Sequence, residues 1–287
     1  MESDLTEGLE DVSAKVASGE PLTRDDAERL LATRSLIAVG VLADEVRRRI
    51  GGDGVTFVRV VDVPPEGPIP AMPPDAGEAR ILGLQADSAA LDRIREVSAT
   101  AGRVPVSACA LHEISGTFAR RLRDAGASLV ADAAVDRLPG RAPIEDVRAA
   151  GLGVARWTVQ SYDPLPPLDL LDAVRALGAL RSFAPLPRVV DPAAPTTGYD
   201  DVKLVAVSRL YLPQVRSISI DWALYGPKLA QVALTFGADD LDGVPPDGPA
   251  ANLLGPRRAT VEEVRRNIRA AARTPIQRDA RFEPISG

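Results

Sequence analysis

The chain has 287 residues, 45% of them apolar and only 4% aromatic, with a formal net charge of −6 and a mean hydropathy of −0.01. Such a chain can bury a sizeable core, matches the usual length of one α/β barrel, and is excluded from the disordered class. The acidic balance and the shortage of rings leave no basic footprint for nucleic acid, no stacking platform for bases and no general affinity for anionic membranes.

The opening MESDLTEGLEDV is acidic where a secretory leader is basic and then apolar, and charge or proline breaks every apolar run well short of 18 residues. With a lone cysteine, Cys109, no intrachain disulfide can form, so a cytoplasmic protein is expected. Arginine dominates the basic residues, lysine occurring only at Lys15, Lys203 and Lys228, a bias that fits a GC-rich bacterial genome. In the first 50 residues Thr23 and Asp26 form a capping-box-like helix start. A second helix over 35–50 carries Leu36, Val39, Leu42, Val46 and Ile50 on one stripe and ends in arginines and Gly51-Gly52.

From there β-branched runs alternate with helical patterns. Strands are predicted over 56–63, 79–84, 104–111, 128–134, 154–162, 181–189 and 217–225. Helices are predicted near 88–101, 115–125, 144–150, 168–179, 199–212, 227–236 and 260–272, the last opening on Thr260 and Glu263. This pitch implies parallel strands joined by crossovers: an α/β fold, either a closed or partly closed barrel or, as the rival, an open doubly wound sheet. Residues 64–74 hold six prolines and are read as an extended loop, and 244–256 form a second proline- and glycine-rich segment. The division expected is a helical extension over 1–52 and a barrel over 53–287.

Two blocks at fixed spacing are specific. Gly226-Pro227-Lys228-Leu229-Ala230-Gln231-Val232-Ala233-Leu234 and Gly237-Ala238-Asp239-Asp240-Leu241-Asp242-Gly243 resemble the C-terminal part of aminofutalosine synthases, radical S-adenosylmethionine enzymes of the futalosine route to menaquinone. Fainter echoes lie at Leu42-Ala43-Asp44, Val55-Thr56-Phe57, Phe183-Ala184-Pro185-Leu186 and Arg278-Asp279. The resemblance implies a single TIM-like (β/α) barrel, incomplete near its first strand if the shortened loop and crossover there have cost it closure. It also implies a four-iron four-sulfur cluster held by three cysteines in the loop after that strand. Here that loop is 64–74 and contains no cysteine. The glycine pair that holds the cofactor's methionyl amine is replaced by Gly83-Leu84-Gln85. Neither cluster nor S-adenosylmethionine is therefore expected, and radical chemistry is not expected of this chain. The resemblance points to a pseudoenzyme that partners an enzyme of the menaquinone pathway in a hetero-oligomer. The alternative is a cluster-independent enzyme or binding protein for a chorismate-derived or nucleoside ligand.

Candidate residues follow from the barrel rule that ligands sit at strand C-termini. His112 and Glu113, after the third strand, are where a conventional acid–base couple could be built, against the commoner reading of a structural histidine. Asp221 faces the mouth if the seventh strand alternates regularly, and Trp222 adjoins it; a structural salt bridge is the competing role. Arg59, Arg156 and Arg188 can grip a carboxylate or phosphate if they face the mouth, and Gln85 follows the second strand. Asp239 and Asp240, with Asp242, either bind a polar ligand or hard cation or hold the barrel end closed, the latter being favoured; no metal site is expected. Cys109 reads as inert packing. No phosphate loop, dinucleotide fingerprint, zinc spacing or nucleophile elbow occurs.

Overall fold

A computed structural model describes residues 8–81, 83–189, 196–246 and 260–285. Three helices lead: α1 (Glu10–Ser18), α2 (Arg24–Ala32) and α3 (Leu36–Gly51). The capping box is formed, since Thr23 N donates to Asp26 Oδ2 at 2.8 Å and Asp26 N returns a bond to Thr23 Oγ1. Asp26 also accepts from Lys15 Nζ at 2.7 Å, which pins α1 to α2. Helix α3 buries Ala38, Val39, Leu42 and Ala43, and its apolar face shares one core with the strands that follow.

The strands are β1 (Gly54–Val63), β2 (Glu78–Ile81), β3 (Val106–Ala110), β4 (Leu129–Ala134), β5 (Gly153–Val154), β6 (Trp157–Thr158), β7 (Leu180–Phe183), β8 (Val215–Asp221), β9 (Asp240–Val244) and β10 (Thr274–Arg278). Helices α4 (Ser88–Ala101), α5 (Gly116–Asp124), α6 (Ala142–Ala149), α7 (Pro167–Leu177), α8 (Gly198–Tyr211), α9 (Trp222–Ala233) and α10 (Val261–Ala270) complete the order. Every strand pairing is parallel, in the order β5-β4-β3-β2-β1-β9-β8-β7, with β6 beside β4 and β10 beside β1.

The two ends of this order meet above β6 and β7. Ala184 N donates to Trp157 O at 2.8 Å, and Arg188 N donates to Val159 O at 2.9 Å. The sheet is thus a TIM-like (β/α) barrel, and the open doubly wound alternative is excluded. The first strand is intact: β9 lies on one edge, while β10 (against 54–58) and β2 (against 60–63) share the other. What is reduced is its crossover, since 64–77 contains no helix.

Several boundaries differ from the sequence-based expectation, and the predicted strand 181–189 is a strand only over Leu180–Phe183, ahead of Pro185 and Pro187. The predicted strand 154–162 breaks into two short pieces around Ala155 and Arg156. The predicted strand 217–225 stops at Asp221, whose carboxylate caps α9 by accepting from Leu224 N at 3.0 Å. Helix α9 kinks at Gly226 (φ 77°), ahead of Pro227. Strands β9 and β10 carry no β-branched run and were not predicted. Of the segment 244–256, residues from 247 on lie outside the described residues. Among the described residues no helix is long and apolar enough to cross a membrane.

Candidate functional site at the barrel mouth

Strand alternation decides which side chains enter the barrel. Thr56 and Ser219 both stand in register with Asp240, one layer up Asp221 stands in register with Asp242, and Arg80 is level with Asp62. In the lower layer Arg278 clasps Asp240 with two bonds of 2.7 and 2.8 Å, while Thr56 and Ser219 each donate to the same carboxylate at 2.6 Å.

Above it lies a chain of alternating charges. Arg80 bonds both oxygens of Glu78, at 2.9 and 2.8 Å, and both oxygens of Asp242, at 3.2 and 2.9 Å. Arg156 bonds Asp242 at 3.2 Å, pairs with Asp132 at 3.0 Å and lies 3.6 Å from Asp221. Arg188 bonds the other side of Asp221, at 2.9 Å. Burial disfavours charge on Asp242, but Arg80 and Arg156 outweigh it and hold that carboxyl well below the usual range. The same burial acts on Arg80, where Asp242 and Glu78 more than compensate.

At the top a cavity of about 130 Å³ remains, bounded by Asp62, Arg80, Arg156, Arg188, Asp221 and the Ala223–Leu224 turn. Asp62 is the exception in this network, having no hydrogen-bond partner among the described residues. Burial raises its pKa, and the pull of Arg80 and Arg156 only partly offsets the rise. Arg188 titrates below its ordinary value, chiefly because Arg156 sits beside it and then through burial.

Only some of the predicted residues come together. Arg156, Arg188 and Asp221 meet at the mouth, and Asp240 lies one layer beneath. Arg59 points outward from β1 and pairs with Asp75. Asp239 also faces away from the interior, where Arg209 donates to it at 2.6 Å and Ile218 N at 2.9 Å. Trp222 is buried, its Nε1 without a hydrogen-bond partner among the described residues. Gln85 is exposed between β2 and α4, outside the cavity lining. His112 and Glu113 occupy a single 3-10 turn after β3, with His112 Nδ1 buried and unbonded among the described residues and no bond between the two side chains. Asp62, Glu78, Arg80 and Asp132 escaped the sequence reading. Their signal was a polar residue on the inward face of a strand, where an unpaired charge is costly.

The residues do not fit an iron–sulfur cluster. Three irons need three thiolates, and the chain holds one cysteine. Cys109 is buried on β3, in the left-handed region at φ 62°, and burial pushes its thiol up to about 12. The β1–β2 connection supplies prolines, Glu66 and Asp75 instead. Among the described residues no group of three or more His, Cys, Asp or Glu side chains is placed to hold a metal ion.

Residues 184–286 match the CofH/MqnC C-terminal region. The chain is 35% identical over 134 residues to an aminodeoxyfutalosine synthase of Thermus thermophilus, covering 41% of this chain and 36% of that protein. It is 37% identical over 94 residues to a 5-amino-6-(D-ribitylamino)uracil–L-tyrosine 4-hydroxyphenyl transferase of Methanosarcina barkeri, covering 31% and 24%. These matches thus span about a third or less of the curated relatives' length. Among solved structures, methylornithine synthase (PylB) superposes with a TM-score of 0.68 at 15% identity, over 92% of this chain and 97% of that one. The hydrogenase maturase HydG superposes at 0.66 and 13%, over 96% and 76%.

Proposed function

We propose that this aminodeoxyfutalosine synthase-like barrel is a cluster-free, non-catalytic relative of the futalosine-pathway enzymes, acting in the bacterial cytoplasm as protein partner to an enzyme of menaquinone biosynthesis. One observation carries the reading: the mouth is satisfied from within. Arg80, Arg156 and Arg188, the cations that would receive an anionic ligand, are bonded to Glu78, Asp132, Asp221 and Asp242 of the same chain. A ligand carboxylate would have to displace charge-assisted bonds already formed in a low-dielectric interior, with only about 130 Å³ to enter. The single cysteine supports the same conclusion from the cofactor side.

The test is menaquinone content in a clean deletion strain of the native host. Loss of menaquinone, restored by the gene, is expected; unchanged menaquinone overturns the assignment to the pathway. Anaerobic reconstitution with iron and sulfide is expected to give no iron–sulfur absorbance. Stoichiometric iron and sulfide bound per chain would return the protein to the radical enzymes.

A second reading, a cluster-independent enzyme or binding protein for a chorismate-derived or nucleoside ligand, is favoured by Asp62 alone, a half-buried carboxyl at the edge of the cavity with no hydrogen-bond partner among the described residues. It requires a saturable thermal shift with such compounds that disappears in Asp221→Ala.

A further inference from the structure

The opposite end of the barrel has the reverse electrostatic character. There the N-terminal ends of β4 and β7 and the β5 segment border a groove of about 430 Å³, closed along one side by residues 280–282. Its floor is apolar and buried, formed by Leu129, Val147, Trp157 and Phe282. Three exposed arginines, Arg148, Arg181 and Arg281, stand in its wall, and among the described residues no carboxylate lines it. Arg181 stacks on the Phe282 ring at 4.7 Å and Arg281 donates to Ser128 Oγ at 2.7 Å. None of the three has an acidic partner within ion-pair distance among the described residues. In a chain with 40 acidic and 34 basic residues, whose mouth arginines are all paired, that is a local surplus of positive charge.

The wall is also held in place. Phe282 lies in the left-handed region at φ 66°, a costly conformation for an aromatic residue, with Arg278 stacked on its ring at 3.6 Å. Asp279 fixes the turn by accepting from the backbone N–H groups of Arg281 and Glu283 at 2.8 and 2.9 Å.

We infer that this groove docks an acidic segment of a partner protein, one that lays an aliphatic or aromatic side chain on the floor and sets carboxylates against Arg148 and Arg281. The inference rests on the partner reading above and names the face that partner uses. A protein segment fits better than a small anion for an energetic reason. One solvent-exposed ion pair contributes little, so a small anion on one guanidinium is held weakly, whereas a segment adds several such pairs to apolar burial. The bottom face also lies away from the strand ends where barrel chemistry occurs.

The test uses the full chain and a fluorescein-labelled peptide of alternating Glu and Leu or Phe, followed by anisotropy. Saturable binding is expected, weakened about tenfold or more by the double change Arg148→Glu and Arg281→Glu, two pairs together amounting to about 1.4 kcal/mol. Raising salt should weaken it too, and the Gln counterpart of the peptide should bind far less. No binding by the native chain, equal binding of the Gln peptide, or unchanged binding by the double variant overturns the inference. So does displacement by inorganic phosphate at equal charge, which would make the groove a phosphate site. Both replaced side chains are exposed, so an unaltered melting temperature certifies the fold. The same variant gene, placed in the deletion strain, separates the two proposals. If the native gene restores menaquinone and the variant does so equally well, the groove assignment falls while the pathway assignment stands.

Discussion

Asp242 and Asp62 sit in the same mouth and respond to pH in opposite senses. Asp242 is depressed by Arg80 and Arg156, so it stabilises the fold fully above its unfolded value near 3.8 and progressively less as pH falls below it. Replacing it by Asn strands two buried guanidinium groups and should cost about 3–5 kcal/mol at neutral pH, read from the denaturant midpoint. The cost should shrink in acid. Asp62 is raised by burial, so its contribution has the other sign: the folded protein holds the proton more tightly, and stability is lost as pH climbs through the shifted value. Asp62→Asn should therefore be more stable than the native protein at pH 7 and equal to it below pH 3.8. A denaturation series across pH decides both, and an Asp62→Asn protein less stable at pH 7 would show that the carboxylate is needed charged.

At the level of elements, Gly77 brings β2 beside the chain's return. A Cβ there would stand 2.5 Å from the carbonyl oxygen of Arg278 and 3.0 Å from Val58 Cγ2. Gly77→Ala should cost about 1–3 kcal/mol through overpacking against backbone that has no room to yield, measured by thermal or urea unfolding. Where sequence reading succeeded, an element had either periodicity or a cap: α4 spans 88–101 as expected, and the boxes at Thr23 and Thr260 open α2 and α10. It missed β9 because Asp240 and Asp242 face inward, replacing the apolar alternation by which strands are recognised. The site was legible only in part for a related reason. Arg156, Arg188 and Asp221 could be named as single residues, but what an arginine does here depends on which carboxylates stand opposite. Those come from β4, β8 and β9, a juxtaposition made by closure of the barrel and invisible in local spacing.

For the molecule as a whole, the expected boundary at residue 52 does not divide the core. Leu9, Val12, Leu30, Val39 and Leu42 pack in one apolar cluster with Phe57, Val205 and Ile218. Asp44 of α3 also accepts from Arg273, just before β10, at 2.6 Å. A fragment of residues 53–287 should therefore fail to give a cooperative melting transition, whereas a separable extension would leave the barrel's transition in place.

The pairing of Gly54 with Thr274 joins positions about 220 residues apart. During synthesis the edge of β1 that β10 will occupy stays open until about 220 further residues have been made. Over that interval five residues of a buried strand offer unpaired N–H and carbonyl groups to any neighbouring polypeptide. The nascent barrel is consequently a client for chaperone holding, and a stalled or nicked chain ending before β10 is a seed for aggregation rather than a smaller folded protein.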